Sequence, residues 1–125
     1  MANNKQIGTE FERKVCEILS ADGWWVHFIS PDNRGAQPFD IIAVKEGRAI
    51  AADCKTCEGK IFSIDRLEDN QRLAFEKWQR CGNSEPMLFV KHRNEVFCIE
   101  YYELKLYKRI FLRERKPWCV LLETK

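Results

Sequence analysis

The stretch PFDIIAVKEGRAIAADCK, residues 38–55, decides how this chain is read. Two apolar runs, FDIIAV (39–44) and AIAADCK (49–55), flank a Lys-Glu-Gly-Arg turn. Short apolar runs joined by a turn with a glycine, here Gly47, predict a β-hairpin. Both runs are apolar at nearly every position up to their acids, the pattern of strands covered on both faces. Three residues break it: Asp40 opens the first run, and Asp53 and Lys55 close the second.

Upstream, Phe11, Val15, Ile18 and Leu19 recur at helical spacing and predict a helix over about Thr9 to Asp22. Thr9 and Glu12 match a capping box, and Gly23 fits the stop. WWVHFIS reads as a strand and SPDNRGAQ as a loop. Downstream, a second helix is expected from about Ser63 to Cys81, with Leu67, Ala74, Trp78 and Cys81 on one stripe, ended by GNSEP. MLFVKH and EVFCIEY read as a further hairpin around Arg93-Asn94. A short helix over Tyr102 to Phe111 and a last strand WCVLLE complete the chain. The order is α-β-β-β-α-β-β with a C-terminal extension, an α/β architecture with a central mixed sheet flanked by helices.

With 125 residues the chain has room for a single domain, 1–125, and one sizeable core. Its 45% hydrophobic and 32% charged residues are ordinary for a globular protein. No apolar run approaches the roughly 20 residues that span a bilayer, and the N-terminus carries no secretory h-region, so the expected place is the cytoplasm with no membrane partner. The six cysteines fall mostly in apolar segments, where a reduced thiol acts as a small hydrophobe. Cys54 and Cys57 form one CxxC, but no second ligand pair at zinc spacing accompanies it. The net charge of +2 decides little; the basic segment KLYKRIFLRERK permits a polyanionic partner without demanding one.

Alternate strand residues share a face, so Asp53 and Lys55 point together and Cys54 points to the opposite, core side. Across the hairpin Asp40 can approach Asp53. Two partly buried carboxylates side by side repel each other, and each is costly to desolvate alone. A Mg²⁺ ion relieves both problems, and an adjacent ammonium can position water or stabilise a phosphorane-like charge. The plainer alternative is a strand-end salt bridge between Asp53 and Lys55, with Asp40 capping a turn. Gln71 falls in the apolar series 67, 71, 74, 78; a buried amide needs partners, either core backbone or a site beneath the helix start. Glu12 is either the capping-box partner of Thr9 or a third acid for the same site.

Taken in order, G-x-x-F-E (Gly8 to Glu12), F-D-I-I-A (Phe39 to Ala43), D-C-K (Asp53 to Lys55) and a helix near Gln71 resemble the PD-(D/E)xK nuclease superfamily. Within it the chain most resembles Holliday junction resolvases of archaeal and phage type, over roughly residues 5 to 102. The resemblance implies a restriction-endonuclease-like fold and a homodimer that cuts two strands of a four-way DNA junction with Mg²⁺, for which Mn²⁺ can substitute. It implies that Asp40, Asp53 and the backbone carbonyl of Cys54 hold the metal, with Glu12 completing the site. Lys55 would then position the nucleophilic water, and Gln71 would orient Lys55 or the scissile phosphate. Asp53 stands where these resolvases more often carry glutamate. The family's loop serine corresponds to Ser30, and Arg13, Lys14, Arg34 and Arg72 lie near enough to contact flanking phosphates.

Two rival readings keep the fold and change the function. One is a nicking, repair or restriction-type endonuclease; the other is a DNA- or protein-binding module that no longer cuts. For a dimer surface the sequence offers Leu104, Leu106, Tyr107, Ile110, Phe111 and Trp118. The alternative is that these residues merely close the core over the sheet.

Overall fold

The computed structural model describes the backbone of residues 4–29 and 38–122, and the side chains of 10–29 and 38–122. It opens with helix α1 (Asn4–Ala21), followed by strands β1 (Trp25–Phe28), β2 (Ile41–Lys45), β3 (Arg48–Thr56) and β4 (Ile61–Ser63). A 3-10 turn (Ile64–Arg66) leads into helix α2 (Asp69–Arg80). Strands β5 (Met87–His92) and β6 (Glu95–Glu100), helix α3 (Tyr101–Tyr107) and strands β7 (Arg109–Phe111) and β8 (Cys119–Val120) complete it. The main sheet has six strands in the order β1-β2-β3-β5-β6-β8, and β4 and β7 form a separate two-stranded ribbon. All neighbours in the main sheet run antiparallel except β3 and β5, which are parallel. The expected α/β fold with a mixed central sheet is therefore present.

The β2–β3 hairpin turns on Glu46 and Gly47, both with positive φ (51° and 77°), between the paired Lys45 and Arg48. Two left-handed residues in a two-residue loop match the right-handed twist of the strands. Glycine adopts that conformation freely, and Glu46 is the uncommon partner.

Two apolar clusters sandwich the sheet. On one face α1 lays Phe11, Val15 and Leu19 over Ile41, Ala43, Ile50, Ala52 and Phe89. On the other, Phe75 of α2 and Tyr101 and Leu104 of α3 cover Ala51, Leu88, Val90 and Ile99. Strand β3 carries both clusters, Ala51 on one face and Ile50 and Ala52 on the other. Its two-sided cover was legible. Strand β2 departs from the expectation: Ile41 and Ala43 are buried under α1, but Val44 on the opposite face is exposed, because α2 does not extend that far.

Several boundaries also differ. Helix α1 begins at Asn4, so Thr9 is inside the helix and cannot be its cap; the side chain of Thr9 lies outside the described residues. The second helix is broken at Leu67 and Glu68, with Glu68 as the true N-cap of α2 in a capping box with Gln71. Its buried residues are Gln71 and Phe75, and Cys81 is exposed rather than on the stripe. The helix expected over Tyr102 to Phe111 ends at Tyr107, where Lys108 turns with φ 68° and β7 begins. The last strand is only two residues long. Among the described residues no helix is long and apolar enough to cross a membrane.

Candidate active site

The site forms where β2 stops and β3 continues. The last β2–β3 pair is Ile41 with Ala52, closed by Asp40 N–H donating to the Ala52 carbonyl at 3.0 Å. Beyond it β3 runs on to Thr56, paired on its other side with β5. On the β2 side no strand among the described residues faces the backbone N–H of Cys54. The Asp40 side chain fills that position, accepting from Cys54 N–H through Oδ2 at 2.8 Å. The N–H and C=O of one strand residue share an edge, so the Cys54 carbonyl is directed to the same side as Asp40.

Asp53 lies on the α2 face of β3 and is 1% exposed. Its Oδ2 accepts from Lys55 Nζ at 3.2 Å and from Gln71 Nε2 at 3.0 Å. The Asp40 carboxyl lies close enough to act on it electrostatically. Burial, then the Asp40 carboxylate, push the Asp53 carboxyl well above the usual range, against the pull of Lys55. Gln71, the third residue of α2, accepts through Oε1 from both Lys55 Nζ (3.2 Å) and Glu68 N–H (3.1 Å). One amide thus holds the helix start, the lysine and the buried acid together.

Glu12 reaches the same place from α1. Burial, then the charge of Asp40, raise its carboxyl to about 7, partly opposed by Lys55. Cys16 and Cys54 lie beneath these acids on the α1 face, and burial pushes both thiols up. Cys54 packs in the α1-side cluster, as its strand position implies, whereas Cys57 belongs to the other cluster and donates toward the carbonyls of Gly59 and Ile61. The CxxC therefore points to opposite faces, and all six cysteines are free.

Glu12, Asp40, Asp53, Lys55 and Gln71 are thus brought together. Among the described residues no three His, Cys, Asp or Glu side chains already converge as a metal-ligand set. The reason is visible in the bonds: Asp40 is turned to Cys54 N–H, and Asp53 to Lys55 and Gln71. Arg13 and Lys14 project from α1, and Lys14 stands 3.8 Å from Glu17. Arg72 is half-buried beside Gln71. Ser30 and Arg34 lie outside the described residues. Sequence reasoning missed the role of Asp40 as partner of the Cys54 backbone and the Arg66 guanidinium, which donates to the Thr56 carbonyl at 2.8 Å next to Lys55. The signal for the first was the length difference between the two hairpin strands.

The family model for the archaeal Holliday junction resolvase (Hjc) matches residues 3–118. The chain belongs to the Hjc family. It is accordingly a nuclease of the junction-resolving kind, and it binds branched DNA. The solved structure of Hjc from Archaeoglobus fulgidus, a Holliday junction resolvase from an archaeal hyperthermophile, aligns with a TM-score of 0.60 at 17% identity, over 74% of this chain and 75% of that one. It shares the restriction-endonuclease-like fold. The crystal structure of SSO0001 aligns more weakly, with a TM-score of 0.48 at 12% identity over 79% of this chain and 52% of that one. No curated protein matches the chain.

Proposed function

We propose that this resolvase cuts four-way DNA junctions by Mg²⁺-dependent phosphodiester hydrolysis, acting as a homodimer that makes two symmetric incisions. The observation that carries the reading is the meeting of the Asp40 and Asp53 carboxyls along β3 just past the end of its pairing with β2, with Lys55 held beside them by Gln71. The Asp53 carboxyl beside Asp40 keeps its proton because a buried pair of anions is too costly. A divalent cation can replace that proton. The donors at this place, two carboxylates and the Cys54 carbonyl with Glu12 nearby, are hard oxygens that suit Mg²⁺, and Mn²⁺ as a substitute.

In this reading Asp40, Asp53 and the Cys54 carbonyl hold the cation, and Glu12 completes the set. The cation, when bound, supplies Lewis-acid stabilisation of the phosphate and a more acidic water. Lys55 places its ammonium over the attacking water and the developing negative charge. Gln71 keeps Lys55 from collapsing fully onto Asp53, because its Oε1 competes for the same ammonium. Arg13, Lys14 and Arg72 contact flanking phosphates and position the DNA without reading bases.

Each chain contributes one such set, so symmetric resolution calls for two copies about a two-fold axis. Leu104 and Ile110, offered by the sequence as interface residues, are core residues, and Trp118 packs on Phe89 with ring centroids 4.8 Å apart. A better surface for a second copy is the uncovered sheet face, where the cross-strand partners Trp25 and Val44 are exposed.

The test is cleavage of an end-labelled four-way junction and of linear duplexes of the same sequence, in Mg²⁺ and in EDTA. Symmetric incisions in the junction alone, abolished by EDTA, are expected. Equal cutting of linear duplex would replace the junction by another DNA substrate. Binding without cleavage would reduce the protein to a non-cutting module.

A further inference from the structure

The β4–β7 ribbon is amphipathic in an unusual sense. Its inner residues, Phe62 and Ile110, are in the core. Its outer residues pair as Ile61 with Phe111 and Ser63 with Arg109. An outward ribbon face is ordinarily polar, yet here Ile61 and Phe111 are 42% and 49% exposed, and Tyr107 just before the ribbon is 64% exposed. Tyr107, Arg109, Phe111 and Arg115 are among the residues lining a shallow cavity of about 450 Å³.

The charge around this face is lopsided. The segment 105–116 holds six Lys and Arg against the single acid Glu114, a net of +5, where the whole chain nets only +2. The rest of the chain therefore carries an excess of three acids. Lys105 pairs with Glu76 and Arg115 with Glu103. Lys108, Arg109, Arg113 and Lys116 are exposed and have no ion pair among the described residues. Such a face repels a second copy of itself, since a two-fold contact would bring like charges together. It attracts a polyanion, and exposed aromatics beside unpaired cations suit the sugar-phosphate edge of DNA.

The ribbon is tied to the active site. Ser63 pairs with Arg109, Ile64 N–H donates to the Lys108 carbonyl at 2.9 Å, and the 3-10 turn that follows brings Arg66 onto Thr56, next to Lys55. It also leads directly into α2 and Gln71.

We propose that the outer face of the β4–β7 ribbon, with Arg109 and Arg113 as phosphate contacts and Phe111 and Tyr107 as the apolar floor, is a second DNA-binding surface that grips duplex away from the scissile phosphate. The inference rests on the junction-nuclease reading above and assigns that enzyme a hold on a further stretch of its substrate.

The variant Arg109→Gln/Arg113→Gln tests it, because both side chains are exposed and outside the catalytic group. Four-way junction binding is titrated across salt concentrations for wild type and variant, alongside single-turnover cleavage at saturating enzyme and sedimentation of both proteins. The variant should bind more weakly at low salt. Its slope of log K against log salt should shrink by about 0.9 for each phosphate that is no longer neutralised, with saturated cleavage unchanged. Phe111→Ala should weaken binding with no change of slope, because an uncharged side chain displaces no counterions. Unchanged affinity and slope in Arg109→Gln/Arg113→Gln, with wild type binding and cutting the junction, would overturn the ribbon assignment alone. A wild type that binds no DNA would overturn it together with the junction reading. A variant that changes its oligomeric state, losing affinity only in proportion, would make the ribbon a self-association surface and refute the proposal.

Discussion

Replacing Gln71 by methionine keeps the length and apolar body of the side chain and removes all three of its hydrogen bonds. Asp53 loses the donor at 3.0 Å, Lys55 loses the acceptor at 3.2 Å, and the Glu68 N–H loses its partner at 3.1 Å. A hydrogen bond to a charged, buried group is worth about 1.5–3 kcal/mol. The freed helix-start N–H adds the loss of a cap, about 1 kcal/mol, reduced because Glu68 is exposed and water can replace the partner. The loss should total about 3 kcal/mol of the 5–15 kcal/mol typical of a folded domain. With a urea m-value of about 2 kcal/mol/M the unfolding midpoint should fall by roughly 1.5 M. Urea unfolding of Gln71→Met, Lys55→Met and the double variant separates positioning from packing. Residues that touch should show a coupling of about 1 kcal/mol. Single-turnover junction cleavage should drop about 100-fold with metal at saturation, since a lysine displaced by an ångström loses its aim. A midpoint within about 0.3 M of wild type, no coupling to Lys55, and a normal rate would refute the claim that this amide organises the site.

Asp40→Asn and Asp53→Asn should each abolish Mg²⁺-dependent cleavage while junction binding persists, measured by gel shift and incision assays on one preparation. In EDTA the pH dependence of stability should carry the sign set by Glu12 and Asp53, whose carboxyls are both raised in the folded chain. The Glu12 carboxyl is raised from 4.5 to about 7 and the Asp53 carboxyl from 3.8 to about 8, so folding favours both protonated forms; their contribution to stability is full below pH 3.8 and declines as pH rises toward 8. Urea midpoints across that range should show the decline, Glu12→Gln should make it shallower without removing it, and Mg²⁺ should diminish it. Sedimentation at micromolar concentration should find a dimer, and Trp25→Ser should favour monomer.

The hairpin of residues 38–55 was legible because its apolar runs, its turn glycine and its acids sit at strand spacing, and alternation alone put Asp53 and Lys55 on one face. Helix boundaries were less legible where a local signal had two uses. Thr9-x-x-Glu12 has the form of a capping box, but the helix already extends to Asn4, which leaves Glu12 coupled to Asp40. Glu68-x-x-Gln71 is the working box, and it was hidden because Leu67 continued the apolar series while belonging to the turn before the helix. Strand β4 and strand β7 were missed for a different reason. Each has three residues, and the pairing of Ile61 with Phe111 spans too much chain for any local pattern to carry.

The site itself follows from an inequality of strand lengths. Had β2 begun two residues earlier, a β2 backbone carbonyl would have taken the Cys54 N–H, and no side chain would be needed there. Because pairing stops at Ile41 and Ala52, an orphan backbone donor remains, and a buried orphan costs about 1–3 kcal/mol. A carboxylate at position 40 satisfies it, and in doing so is fixed against Asp53. The arrangement thus trades a backbone bond for an acid pair, whose mutual repulsion is tolerable only with a proton on Asp53 or a cation. Asp40→Ala should therefore act in two opposing ways: it exposes the Cys54 N–H, and it relieves Asp53. Without metal the two effects should nearly cancel in urea unfolding, whereas in Mg²⁺ the variant should lack the stabilisation that wild type gains. Equal stabilisation of both proteins by Mg²⁺ would mean that the ion binds elsewhere, and that the inequality of strand lengths explains the position of Asp40 but not its chemistry.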